Sequence, residues 1–296
     1  MADVATAPTR ARYAGALVPG LVFAGSWILS AIVLVASGQG FPAAQAAIGA
    51  AYLALAAITV WMTEDAPYAR LTSDRRRHWV QVAVIGVFIA LTGWSGLVFH
   101  QVPGAGSVPG WSDLTGWLGS VGDDLFGNGN YLANPVTYFV LPMVLLLLLG
   151  ARPQELGFGR GHRVGRVILV WMAIPVGFLV FAVATGQLTI ARVVNRLVSN
   201  IMQNGPWEEF LFRGALQTRL RLLLTPEWAI VIQALLFGAW HLGLGYTNTG
   251  GAGLLPALAS TLVHQAVIGL AFGIVYERTR NLLAPTVAHV LANSIG

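Results

Sequence analysis

Cysteine is absent from this 296-residue chain, and so is lysine: all 17 basic residues are arginine. The first absence excludes disulfides and thiolate metal ligands, so any metal would have to be held by His, Glu, Asp or Asn. Charge is also scarce, at 10% of residues, against about 25% in soluble domains. With 56% hydrophobic residues the chain cannot cover a globule with polar surface, and it reads as an integral membrane protein. Barrel-like alternation is missing from the apolar runs. Because lipid offers the backbone no hydrogen-bond partners, helices are the expected solution.

Apolar runs of spanning length lie near 13–37, 42–62, 79–99, 131–150, 167–186, 205–224, 227–245 and 254–276, with a shorter one at 281–296. They predict an all-α, polytopic transmembrane helical bundle of about eight or nine helices. The first run reads as a retained helix, not a signal peptide. Residues 1–130 are expected to form N-terminal transmembrane helices with one acidic loop, and 131–296 a second domain with its motifs in 200–296. Arg10 and Arg12, Arg70 and Arg75–Arg77, then Arg152, Arg160, Arg163 and Arg166 flank successive helices on one side, which the positive-inside rule makes cytoplasmic. Arg219, Arg221, Arg278 and Arg280 continue the pattern. The loop 102–130 carries Asp113, Asp123 and Asp124 without arginine and falls on the opposite face as a solvated surface. Between 188 and 202, Ile190, Val193, Val194, Leu197 and Ile201 recur with helical period opposite Arg192, Asn195, Arg196 and Ser199, the pattern of an interfacial helix. If that segment crossed the membrane, every later segment would change sides.

Three fragments in the last third place proton-handling or metal-capable groups inside apolar helices: Glu208-Glu209-Phe210-Leu211-Phe212-Arg213, Phe237-Gly238-Ala239-Trp240-His241 and His289-Val290-Leu291-Ala292-Asn293. Each has an ordinary reading. Pro206 suits a first helical turn and acidic residues there complement the helix dipole; a lone histidine usually packs and hydrogen-bonds; Asn293 could cap a terminal helix. A charge at bilayer depth nevertheless costs about 2.5–3.5 kcal/mol even on lenient scales, so it ordinarily has a partner or a task. Arg213 stands four residues after Glu209, within ion-pair reach on the same face, which leaves Glu208, turned about 100° away, available. His289 and Asn293 share a face at i, i+4. At about 1.5 Å of rise per residue, Glu208, His241, His264, His289 and Asn293 fall roughly 12–25 Å from the arginine-bearing ends, close enough to meet in one cavity.

A carboxylate, two imidazoles and an amide suit peptide-bond hydrolysis, the glutamate and a histidine activating water and the donors stabilising an oxyanion. The same Glu208, His241, His289 and Asn293 could instead hold Zn²⁺. Together, and in this order, the three motifs resemble those of the CPBP family of intramembrane proteases, which includes CAAX prenyl endopeptidases and bacterial Abi proteins. The resemblance covers about residues 200–296. It implies an intramembrane endopeptidase with Glu208 and His241 at the water, His289 and Asn293 as oxyanion donors or metal ligands, and Glu209 and Arg213 shaping the site; it leaves open whether Zn²⁺ or the glutamate alone drives the reaction. The expected partners are the lipid bilayer and a protein or peptide substrate at the membrane, not nucleic acid, and the expected location is a bacterial cytoplasmic membrane. A proton- or ion-coupled transporter and a non-catalytic membrane scaffold are the alternatives. The glycine-rich Gly157–Gly161 follows no strand and is not read as a nucleotide loop.

Overall fold

The computed structural model describes residues 15–64 and 74–295, and Arg10, Arg12 and Arg70 lie outside them. Among the described residues the chain is all-α and contains no strand. Its helices are α1 (Leu17–Ala36), α2 (Ala43–Met62), α3 (Arg75–Phe99), α4 (Trp111–Phe126), α5 (Asn130–Leu148), α6 (Val164–Ala184) and α7 (Ile190–Gln203). Helix α8 opens as Gly205–Glu209, widens into a π-helical stretch over Phe210–Gln217 and closes as Thr218–Leu223. It is followed by α9 (Pro226–Trp240), α10 (Leu242–Asn248), α11 (Leu254–Thr279) and α12 (Leu283–Ile295).

By length and hydropathy six of these can cross a membrane, and seven if α9 and α10, bent by 52° at their junction, make one broken span. All nine expected apolar runs are helical. The two that fail the spanning test do so for visible reasons: α8 carries Glu208, Glu209, Arg213, Arg219 and Arg221, and α12 has only 13 residues. Other helices enclose most of both, burying Glu208, Glu209, Arg213, Arg219 and Arg221 of α8 and His289 of α12.

The arginine-bearing ends lie together. Gln81 of α3 donates to Leu149 O at the end of α5 (3.0 Å), Arg219 of α8 donates to Glu155 O (3.2 Å), and Arg278 of α11 binds Thr63 Oγ1 at the end of α2 (2.9 Å). Helix α7 lies at the other end. Its apolar residues Ile190, Val194, Val198 and Ile201 are exposed, while Asn200 is buried and Ser199 meets the Tyr131 hydroxyl at the start of α5 (2.7 Å). That is an interfacial placement, and α8 starts from the same end and runs back toward the arginines, so α7 leaves the alternation of helices intact.

Helices α1, α2 and α3 pack directly on the C-terminal helices. Trp27 of α1 donates to Val263 O (3.2 Å), and Trp171 of α6 donates to Thr59 Oγ1 of α2 (2.9 Å) above Phe272 of α11. Small residues permit the closest approaches. A Cβ on Gly243 of α10 would stand 2.5 Å from Gly96 O, and one on Gly205 would stand 2.5 Å from Val290 Cγ2.

Candidate active site

Helix α8 supplies the two carboxylates, and its π-helical stretch begins directly after them. π-Bulges recur at functional sites because the extra residue per turn redirects side chains. Glu209 and Arg213 are both fully buried and form an ion pair, Nη1 to Oε1, at 3.0 Å. The same Glu209 Oε1 accepts from His289 Nδ1 at 2.8 Å. Arg213 Nη2 also donates to Gly269 O (3.2 Å), and the guanidinium lies 4.5 Å from the centroid of the Phe237 ring. A buried pair is tolerable only when each ion finds further hydrogen bonds, and here a histidine and a carbonyl provide them.

Glu208 points the other way, as its offset along the helix requires. It is 5% exposed, and its Oε2 accepts no hydrogen bond. That oxygen stands 3.8 Å from His241 Nε2 and 3.8 Å from His289 Nε2. Both distances are too long for hydrogen bonds and suit a small bridging group. His241 Nδ1 lies 2.8 Å from Phe237 O; a carbonyl only accepts, so Nδ1 carries the proton. His289 Nδ1 likewise donates to the Glu209 carboxylate. Each imidazole thus has its Nδ1–H committed elsewhere and turns Nε2 toward Glu208.

His241 holds this position because the helix ends there. It occupies the junction between α9 and α10, with φ −84° and ψ 13°, and the 52° bend sits at this residue. The sequence reading placed His241 inside a continuous apolar segment; the structure breaks that segment at it, with Gly243 and Gly245 allowing the second half to press against α3 and α11.

A cavity of about 1200 Å³ opens onto these groups, lined by Glu208, His241, His289, Asn293 and His264. Asn293 is exposed within it one turn beyond His289. Glu209 and Arg213 lie behind the wall, holding His289 without facing the cavity. The rest of the lining was not legible in the motifs. Tyr52 of α2, Thr92 of α3, Thr115 and Asp123 of α4, Tyr138 of α5 and Trp171 of α6 all contribute, so helices before residue 131 complete the chamber. Asp123, expected on a solvated loop face, is exposed but stands on helix α4, where it borders the cavity.

The donor chemistry of Glu208, His241, His289 and Asn293 is compatible with Zn²⁺, but tetrahedral zinc spaces its donors about 3.4 Å apart. Among the described residues no three His, Asp or Glu side chains are grouped to hold a metal ion. As placed, these side chains do not fit a resident metal.

No curated protein and no solved structure matches the chain. Residues 191–295 match the family model described as Rce1-like, type II CAAX prenyl endopeptidase. That span begins in α7 and takes in α8 to α12, including all three motifs and the imidazoles that converge on Glu208. The segment carrying Glu208, Glu209, Arg213, His241, His289 and Asn293 is therefore of the CPBP/CAAX protease family.

Proposed function

We propose that the chain is an intramembrane endopeptidase that hydrolyses a peptide bond of a membrane-associated protein or peptide with Glu208 as the base. The observation that carries this is Glu208 Oε2, buried, without a hydrogen-bond partner, and 3.8 Å from each of two imidazole Nε2 atoms whose other nitrogens are already engaged. A water held between Glu208 Oε2 and His241 Nε2 donates to both acceptors. Glu208 takes its proton as the oxygen attacks the substrate carbonyl, forming the C–O bond and a tetrahedral oxyanion. The Asn293 amide donates to that oxyanion. His289 can join it through Nε2 only when doubly protonated, and the Glu209 carboxylate on its Nδ1–H lies where it offsets that charge. Protonated Glu208 then gives its proton to the leaving nitrogen as the C–N bond breaks, which restores the carboxylate and leaves an amine and a carboxylic acid.

The bilayer is the expected setting, and a bacterial cytoplasmic membrane with the arginine-bearing ends inside is part of the proposal. The test is cleavage of quenched and co-reconstituted membrane peptides by purified protein in liposomes, parent against Glu208→Gln, with and without chelator. Glu208-dependent, chelator-insensitive cleavage is expected. Loss of activity on chelation would return Zn²⁺ to the site, and full activity of Glu208→Gln would refute the assigned base.

A further inference from the structure

Among the described residues the cavity wall is charged with one sign only. No described arginine lines it, although the chain carries a formal net charge of +5, and the formal charges on the wall are the carboxylates of Glu208 and Asp123. Asp123 is not there by accident of a loose loop. Trp111, Thr115, Gly119 and Asp123 all line the cavity, one residue per turn, so a single stripe of α4 faces inward. The register of that stripe is fixed at both ends: the Asp113 carboxylate accepts from Gly110 N (3.0 Å) to start the helix, and α4 packs so closely on the chain entering α5 that a Cβ on Gly122 would stand 2.7 Å from Gly129 O.

Around Asp123 the lining is polar and neutral, with Asn128, Asn130 and Asn134 on the same rim. His100, at the end of α3, also faces the cavity, but burial holds its imidazole below the ordinary value, so it stays uncharged near neutral pH and does not cancel the aspartate. Deeper in the same cavity Glu208 adds a second, buried carboxylate with an unpartnered oxygen. The rim lies at the end of the bundle opposite the arginine-bearing loops.

We propose that Asp123 is a specificity-determining residue: the chamber selects a substrate with a cationic side chain, lysine or arginine, on the polar flank of the cleaved bond, and rejects an acidic one there. This rests on the proteolytic reading of the cavity. A cation in the chamber is attracted by both carboxylates, whereas an acidic side chain meets two like charges; Arg196 of α7 stands at the same end of the bundle, but it is held on Ser294 O (3.2 Å) and does not line the cavity. One exposed ion pair is worth up to about fivefold, and replacing attraction by repulsion roughly squares that ratio, so kcat/KM should favour a lysine peptide over its glutamate counterpart by about tenfold or more at low salt.

Two experiments separate this proposal from the activity on which it rests. In liposomes, matched peptides with Lys, Gln or Glu on the polar flank are cleaved by the parent, by Asp123→Asn and by Asp124→Asn. The lysine preference should fall to about twofold in Asp123→Asn and persist in Asp124→Asn, whose side chain is off the stripe. Equal cleavage of the Lys and Glu peptides by the parent, or a preference unchanged in Asp123→Asn, overturns the proposal.

The second experiment needs no cleavage. A cysteine at Gly119, one turn from Asp123 and with open space at its Cβ, is reacted with cationic and anionic methanethiosulfonates in backgrounds with and without Asp123→Asn. The cation should react at least about fivefold faster, and Asp123→Asn should remove most of that advantage. If the labelling bias appears but no peptide is cleaved, the charge-selective chamber stands and the protease reading falls. If peptides are cleaved but neither bias appears, the protease stands and Asp123 selects nothing.

Discussion

Replacing Arg213 by methionine should cost this fold about 3–5 kcal/mol, the usual penalty for leaving a buried ion without its partner. Methionine fills much of the space over Phe237, so the loss is electrostatic more than steric. Glu209, fully buried, would keep only the His289 donor, and Gly269 O would lose the guanidinium. Glu209→Gln should be damaging for the mirror reason, because Arg213 then lacks its counter-charge in a cage of Phe237 and Phe272. The informative variant is the double one. With both charges gone, a glutamine oxygen can still accept from His289 Nδ1, and neutral replacements of a buried pair are often tolerated. The double variant should therefore be less destabilised than Arg213→Met alone, with a coupling of at least about 2 kcal/mol. Detergent-titrated unfolding in bicelles, followed by tryptophan fluorescence, measures all four corners of the cycle. Costs that simply add, within about 0.5 kcal/mol, would refute the claim that Glu209 and Arg213 act as one unit.

Further substitutions test the site and its supports. Glu208→Gln and His241→Ala should each reduce cleavage to background while leaving folded protein in the membrane; an active variant with an unchanged melting profile would remove that residue from the mechanism. Gly273→Ala should destabilise by about 1–3 kcal/mol, because its Cβ would run into the Gln233 amide and approach Gln217 Oε1 to 3.1 Å; unfolding at parental stability would show that α11 can shift away. Trp171→Phe removes the hydrogen bond to Thr59 Oγ1 that ties α6 to α2 beside the cavity and should cost about 0.5–1.5 kcal/mol, read by the same unfolding assay. In intact cells a membrane-impermeant thiol reagent should label Asp124→Cys from outside and not Arg160→Cys; the reverse pattern would invert the assigned orientation.

Sequence alone determined the class of this protein and singled out the groups proposed to react. Scarce charge and long apolar runs permit only a helical bundle in lipid, and the energetic penalty on intramembrane Glu208, Glu209, Arg213, His241 and His289 marks them without any coordinates. The pairing of Glu209 with Arg213 was also legible, since residues four apart on a helix are neighbours, and so was the amphipathic face of α7. What the sequence could not give was convergence between helices. That His289 Nδ1 meets Glu209 while its Nε2 turns to Glu208 depends on how α12 packs against α8, a contact 80 residues apart in the chain. The break at His241 was hidden because its neighbours are as apolar as those of an unbroken span; packing of Gly243 and Gly245 against other backbones decides it. The same holds for Asp123. Its stripe on α4 is readable as a period, but whether that stripe borders a cavity is set by the close approach of Gly122 to Gly129, which only the tertiary structure supplies.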